Sequence, residues 1–162
     1  MPSYEQAIAA FLSRPLAGYE AWLFHRDRLA AHGDQYDPNV ASRLRAGASV
    51  DPADHAAAVA ERRQVADAFS AGAEARCFYL LPTTANTAPP IEPLQADDDL
   101  FAKTNLRALT YTSIANYLDA CAISLPIGPG IGLTVLGPTG TDDALLMAAE
   151  AVEIALTEAR ST

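Results

Sequence analysis

A chain of 162 residues, half of them hydrophobic and 19% charged, has the size and composition of one globular domain rather than of a disordered segment. The formal net charge is −9, Lys103 is the only lysine, and the arginines are scattered. The clustered cations needed to bind a phosphate backbone are therefore missing, and nucleic acid is not an expected partner.

The opening stretch MPSYEQAIAAFLSRP has no basic n-region and a broken apolar run, and no window is long and apolar enough to span a bilayer. The expectation is a cytoplasmic protein without a membrane partner. The periodicity then predicts helices over Tyr4–Leu12, Tyr19–Ala31 and Pro52–Ala71. In the last of these, Val59, Ala66 and Phe69 mark one face and Glu61, Arg62 and Arg63 the other. Asp51 precedes Pro52 as an N-cap before an N1 proline. Between the helices, HGDQYDPNV reads as turn chemistry.

Beyond residue 72 the pattern changes. CFYLL (Cys77–Leu81) suits a strand buried on both faces, as in a parallel or mixed sheet. PTTANTAPPIEPL reads as an irregular loop because of its prolines. CAISLPI, then Gly128-Pro129-Gly130, then IGLTVLG read as a strand–turn–strand hairpin. A final helix follows, with Thr141 at its cap, Asp142 and Asp143 at the positive end of its dipole, and Leu145, Ala149, Val152 and Leu156 as the stripe facing the sheet. The fold class is α/β: a single domain over 1–162, mainly helical over 1–72 and a strand/helix portion over 73–162, with a mixed sheet of few strands flanked by helices. So few apolar strands leave sheet edges unsatisfied, which suggests that the sheet belongs to something larger or pairs with another copy.

Direct chemistry is hard to find. Nucleophilic catalysis needs a hydroxyl or thiol beside a base. No serine lies in a Gly-x-Ser-x-Gly elbow; Ser113 and Ser124 are the best placed, and packing or capping accounts for both. Cys77 and Cys121 sit among apolar residues, where a free structural thiol is usual. His25, His32 and His55 lack paired metal-ligand spacing. Asp97, Asp98 and Asp99 read as the acidic start of a helix near Leu100 rather than a cation loop. Gly128-Pro129-Gly130-Ile131-Gly132 opens a strand, not the helix a phosphate cradle requires. No catalytic, cofactor or metal residue is assigned.

Several ordered motifs nonetheless carry a resemblance. TTANTAPPI (Thr83–Ile91), TSIANYLDACAISLPIG (Thr112–Gly128) and IGLTVLGPTGTDDALLMAAEAVE (Ile131–Glu153), with the earlier YDPNVASRLRAG, resemble the C-terminal part of amidase signature enzymes. The closest feel is to allophanate hydrolase-like and general amidases. The pattern departs from the glutamyl-tRNA amidotransferase A subunit, which has an aspartate where Leu109 stands. The excursion between the last two strands is cut to Gly128-Pro129-Gly130, and Arg76-Cys77-Phe78 replaces a frequent acidic residue.

The family cleaves amide C–N bonds with a Ser, cis-Ser and Lys triad in the N-terminal half of a longer chain. Lys103, in FAKTN, does not match the context of the catalytic lysine. The resemblance thus implies a C-terminal section of an amidase-family hydrolase that lacks the triad and is inactive alone. Its implied partner is a complementary N-terminal amidase chain or a second copy, with a small amide as substrate only of the complete enzyme. Asn116 and Asp119 are expected to bond backbone at a turn. The other expectation is a non-catalytic binding or scaffold module that pairs with another chain.

Overall fold

The computed structural model describes residues 2–13, 16–71 and 77–160. The chain packs as two compact units, one of Ala9–Gln64 and the other of Met1–Ile8 with Val65–Thr162. Helix α1 spans Pro2–Ser13.

In the Ala9–Gln64 unit, α2 (Leu16–His32) is followed by a 3-10 turn at Gly33–Gln35, α3 (Pro38–Ala46), a second 3-10 turn at Gly47–Ser49, and the start of α4 (Pro52–Ala71). The stretch HGDQYDPNV is therefore more than a turn. The Asp37 carboxylate accepts the backbone N–H groups of Asn39 and Val40 at 2.9 and 3.2 Å, and Pro38 occupies the first helical position. An acceptor for orphan amides followed by a preset φ starts a helix. Asp51 repeats the device for α4, accepting Ala53 N–H at 2.7 Å. Leu29, Ala41 and Leu44 form a buried cluster against Ala21, Trp22 and Tyr36.

The second unit carries a three-stranded sheet of β1 (Tyr79–Pro82), β2 (Cys121–Gly128) and β3 (Ile131–Gly137) in the order β1-β3-β2. Both pairings are antiparallel, so the described sheet is not the mixed one expected. The reason for β2 and β3 is the Pro129-Gly130 connection, too short for a parallel crossover. Gly130 takes φ 69°, and the pairing register shifts between Pro126 and Gly128. Strand β1 is not buried on both faces either: its residues alternate between half-buried and exposed, and Leu80 is 54% exposed. Cys77 and Phe78, counted in the strand from sequence, precede it; Cys77 is exposed rather than buried.

Between β1 and β2 run α5 (Ile91–Ala96) and α6 (Asp98–Tyr117). Helix α5 lies inside the stretch expected to be irregular. Pro90 sits at its N-cap and Pro93 in its first turn, where a missing N–H sacrifices no helical hydrogen bond. Asp97 caps α6 by accepting Leu100 N–H at 2.9 Å. At the other end Ala120 N–H donates to Ala115 O and Asp119 N–H to Asn116 O, while Asp119 adopts φ 54°. This is a Schellman closure with aspartate in the left-handed position. The backbone of Asn116 and Asp119 thus makes the turn into β2.

Helix α7 (Asp142–Arg160) covers one face of the sheet. Leu145 and Ala149 pack with Leu125 and Val135, flanked by Cys121, Ile123 and Val152. The Thr141 hydroxyl donates to Pro138 O at 2.8 Å, while the Thr141 carbonyl accepts Leu145 N–H.

Candidate functional site

Side chains alternate across a strand, and the register decides which residues share a face. Tyr79 opposes Leu136, Leu81 opposes Thr134, and Thr134 opposes Ser124. Leu81, Thr134, Leu136, Ala122 and Ser124 therefore look away from α7. Thr83 continues the pattern past β1, its N–H donating to Gly132 O at 2.9 Å.

On this face three hydroxyls meet. Thr83 Oγ1 lies 2.6 Å from Ser124 Oγ and 2.9 Å from Thr134 Oγ1, joining all three strands at one point. Gly132 makes the arrangement possible. A Cβ there would stand 2.5 Å from Thr83 Oγ1 and 2.7 Å from Ser124 Oγ. Beside the hydroxyls opens a cavity of about 250 Å³. Its sheet wall is Leu81, Thr83, Ala122, Ile123, Ser124, Thr134 and Leu136, and its helix wall is Tyr111, Thr112, Ala115 and Asn116 of α6.

Three hydroxyls offer three protons, and the two contacts among them engage two. One remains for solvent or a ligand, at the rim of a mainly apolar pocket whose helix wall adds Tyr111, Thr112 and Asn116. That suits holding the polar end of a small neutral molecule. It does not suit nucleophilic attack, which needs a base to take the serine proton. The lining contains no imidazole, amine or carboxylate.

Thr83→Val, which keeps the shape but deletes the shared hydroxyl, is expected to lower stability by about 1 kcal/mol through loss of both contacts. Urea unfolding reads this directly; an unchanged midpoint would show that the hydroxyls are satisfied by water alone.

The residues singled out from sequence fall in different places. Ser124 lines the cavity, whereas Ser113 lies on α6 outside the lining. Lys103 is exposed on the N-terminal half of α6. His25 bonds Tyr36 through Nδ1 at 3.0 Å, and His55 Nε2 lies 3.2 Å from Glu20 Oε1 with its ring 4.8 Å from that of Tyr19. His32 is exposed next to the first 3-10 turn. Among the described residues no group of three or more His, Cys, Asp or Glu is placed to hold a metal.

Cys121 donates to Pro138 O at 3.1 Å and contacts Thr141 Oγ1 at 3.2 Å; neither cysteine is in a disulfide. Sequence reasoning missed Thr83 and Thr134. The signal available was alternation: Ser124 and Thr134 each interrupt an apolar strand at a position that the hairpin brings opposite the other.

Comparison with solved structures gives the class of this fold. The chain superposes on an amidase crystal structure with a TM-score of 0.65 and 24% identity, over 88% of this chain and 33% of the amidase. A serine-to-alanine variant of allophanate hydrolase from Kluyveromyces lactis matches with a TM-score of 0.61 and 21% identity, over 90% of this chain and 28% of the other. The fold is thus part of the amidase fold. Among curated proteins, 2-amino-5-chloromuconic acid deaminase of Comamonas testosteroni is 26% identical over 94% of this chain and 34% of its own length. No family model matches the sequence. The chain resembles the C-terminal portion of amidase signature enzymes and spans about a third of the length of the curated relative it matches.

Proposed function

We propose that this chain is the C-terminal section of an amidase-family hydrolase, an architecture that cleaves amide C–N bonds, and that it lacks the Ser-Ser-Lys triad and has no activity of its own. In this reading it supplies three strands and a wall of the core. A complementary N-terminal amidase chain supplies the nucleophile and lysine and meets the small amide substrate. The observation that carries the reading is the hydroxyl cluster: Ser124, the one serine lining the cavity, has threonine hydroxyls for neighbours and no base. The likeness to a deaminase and to two amidases over about a third of their lengths supports it.

The test is to treat the folded chain with a serine-reactive fluorophosphonate and to follow ammonia release from a panel of primary amides. Neither labelling nor turnover is expected. Labelling mapped to one serine, with turnover abolished by its replacement with alanine, would establish a nucleophile here and defeat the proposal.

A further inference from the structure

The cavity on the open face of the sheet has an apolar part and a polar part, set by two neighbouring rows of the register. Leu136 and Ala122 oppose each other in the apolar row, and Thr134 and Ser124 in the polar one. Leu136 is 1% exposed and forms a floor, whereas Ala122 and Ser124 are exposed at the mouth, as are Thr112 and Asn116 of α6. Ala115 and Tyr111 complete the helix wall, and the Thr112 hydroxyl already donates to the Leu109 carbonyl at 3.1 Å.

We propose that this cavity is a binding site for a small neutral aromatic alcohol, a molecule of the phenol class. The ring lies over Leu136 between Ala122 and Ala115, and its hydroxyl meets the Thr83, Ser124 and Thr134 cluster. Size supports this occupant. An apolar cavity of roughly 150 Å³ accepts benzene, and about 250 Å³ leaves room for a ring with a short substituent. Charge excludes most competitors. No acidic or basic side chain lines the cavity, so an ionised ligand would lose its hydration without gaining a partner. A phenol is neutral at pH 7.

Polarity narrows the class further. Thr83 Oγ1 is 2.6 Å from one hydroxyl and 2.9 Å from the other, so the three converge on one point and leave one proton and several lone pairs unused. A single oxygen that both donates and accepts matches such a point. A carboxamide has to satisfy two N–H donors and a carbonyl spread around its plane, and a purely apolar ring would leave the spare proton without a partner. The inference rests on the cavity alone and not on the proposed hydrolase role.

Titration of the isotope-labelled chain with phenol, followed by amide-resolved NMR, tests it. Saturable shifts are expected at Ala115, Ala122, Ser124 and Thr134, with a dissociation constant of about 1 mM for so small a molecule in an open cavity. Toluene, the same ring without the hydroxyl, is expected to bind about fivefold more weakly. Thr83→Val should abolish that preference while leaving both rings bound. Ala122→Leu changes an exposed strand residue, fills the cavity and should remove the saturable shifts, with the spectrum otherwise that of the native fold. Shifts that never saturate, or that survive Ala122→Leu, would overturn the proposal. So would toluene binding as tightly as phenol, which leaves the hydroxyls a structural role alone. Benzamide binding more tightly than phenol would overturn the alcohol class and give the cavity to an amide.

Discussion

Gly47→Ala is expected to destabilise the Ala9–Gln64 unit by about 3 kcal/mol or more, enough to leave a marginal unit unfolded. The backbone at Gly47 is ordinary: φ −61° and ψ −22° would suit alanine. The obstacle is space. A Cβ at this position would overlap the carbonyl oxygen of Gly18 and come within 2.8 Å of Trp22 Cβ. Backbone cannot swing aside as the end of a flexible side chain can, so α2 would have to shift away from the turn that follows α3. Trp22 is the only tryptophan and packs on the Leu29, Ala41 and Leu44 cluster. Its fluorescence during urea unfolding therefore reports on the unit that the substitution damages. A midpoint within error of the native one would show that α2 and the turn do not approach as closely as described.

Phe69→Ala is expected to cost about 3–5 kcal/mol in the other unit, the range for emptying a fully buried aromatic site. Phe69 is 0% exposed, near the C-terminal end of α4, with its ring centroid 6.2 Å from that of Tyr79 in β1. Tyr79 opposes Leu136 of β3, itself 1% exposed. The cavity left by Phe69 would thus open beside the paired strands. Amide exchange in β3 should accelerate with the global loss of stability, because a central strand opens only with its unit. A loss below about 1 kcal/mol would mean that the site collapses around the smaller side chain.

Much of the fold was legible because it rests on local rules. Asp51-Pro52 started a helix, the spacing of Leu145, Ala149 and Val152 pointed that helix face at the sheet, and Gly128-Pro129-Gly130 closed a hairpin. The failures arose where one residue type serves two structures. Prolines made Ile91–Ala96 look irregular, yet at the cap and first turn of a helix they are tolerated. Asp37-Pro38 reads locally as a turn, and in the fold it is the cap and first residue of a helix. Short apolar runs concealed the pairing direction, since an edge strand such as β1 can be as apolar as a central one. The hydroxyl site depended on Thr83, Ser124 and Thr134 meeting across three strands, and register between distant segments is not written in any local window. The resemblance to amidases was legible from motifs alone, which is why a chain with no visible chemistry still had a recognisable fold.

The two thiols keep different time. Cys77 lies in the open and will meet an alkylating reagent as fast as the reagent diffuses and reacts. Cys121 is half-buried where β2 begins, tied to Pro138 and Thr141 at the start of α7. Its modification is expected to lag behind that of Cys77 and to quicken when that junction parts. A chain with Cys77 first blocked therefore carries a built-in stopwatch for the separation of its last helix from its sheet, with no label added to the fold.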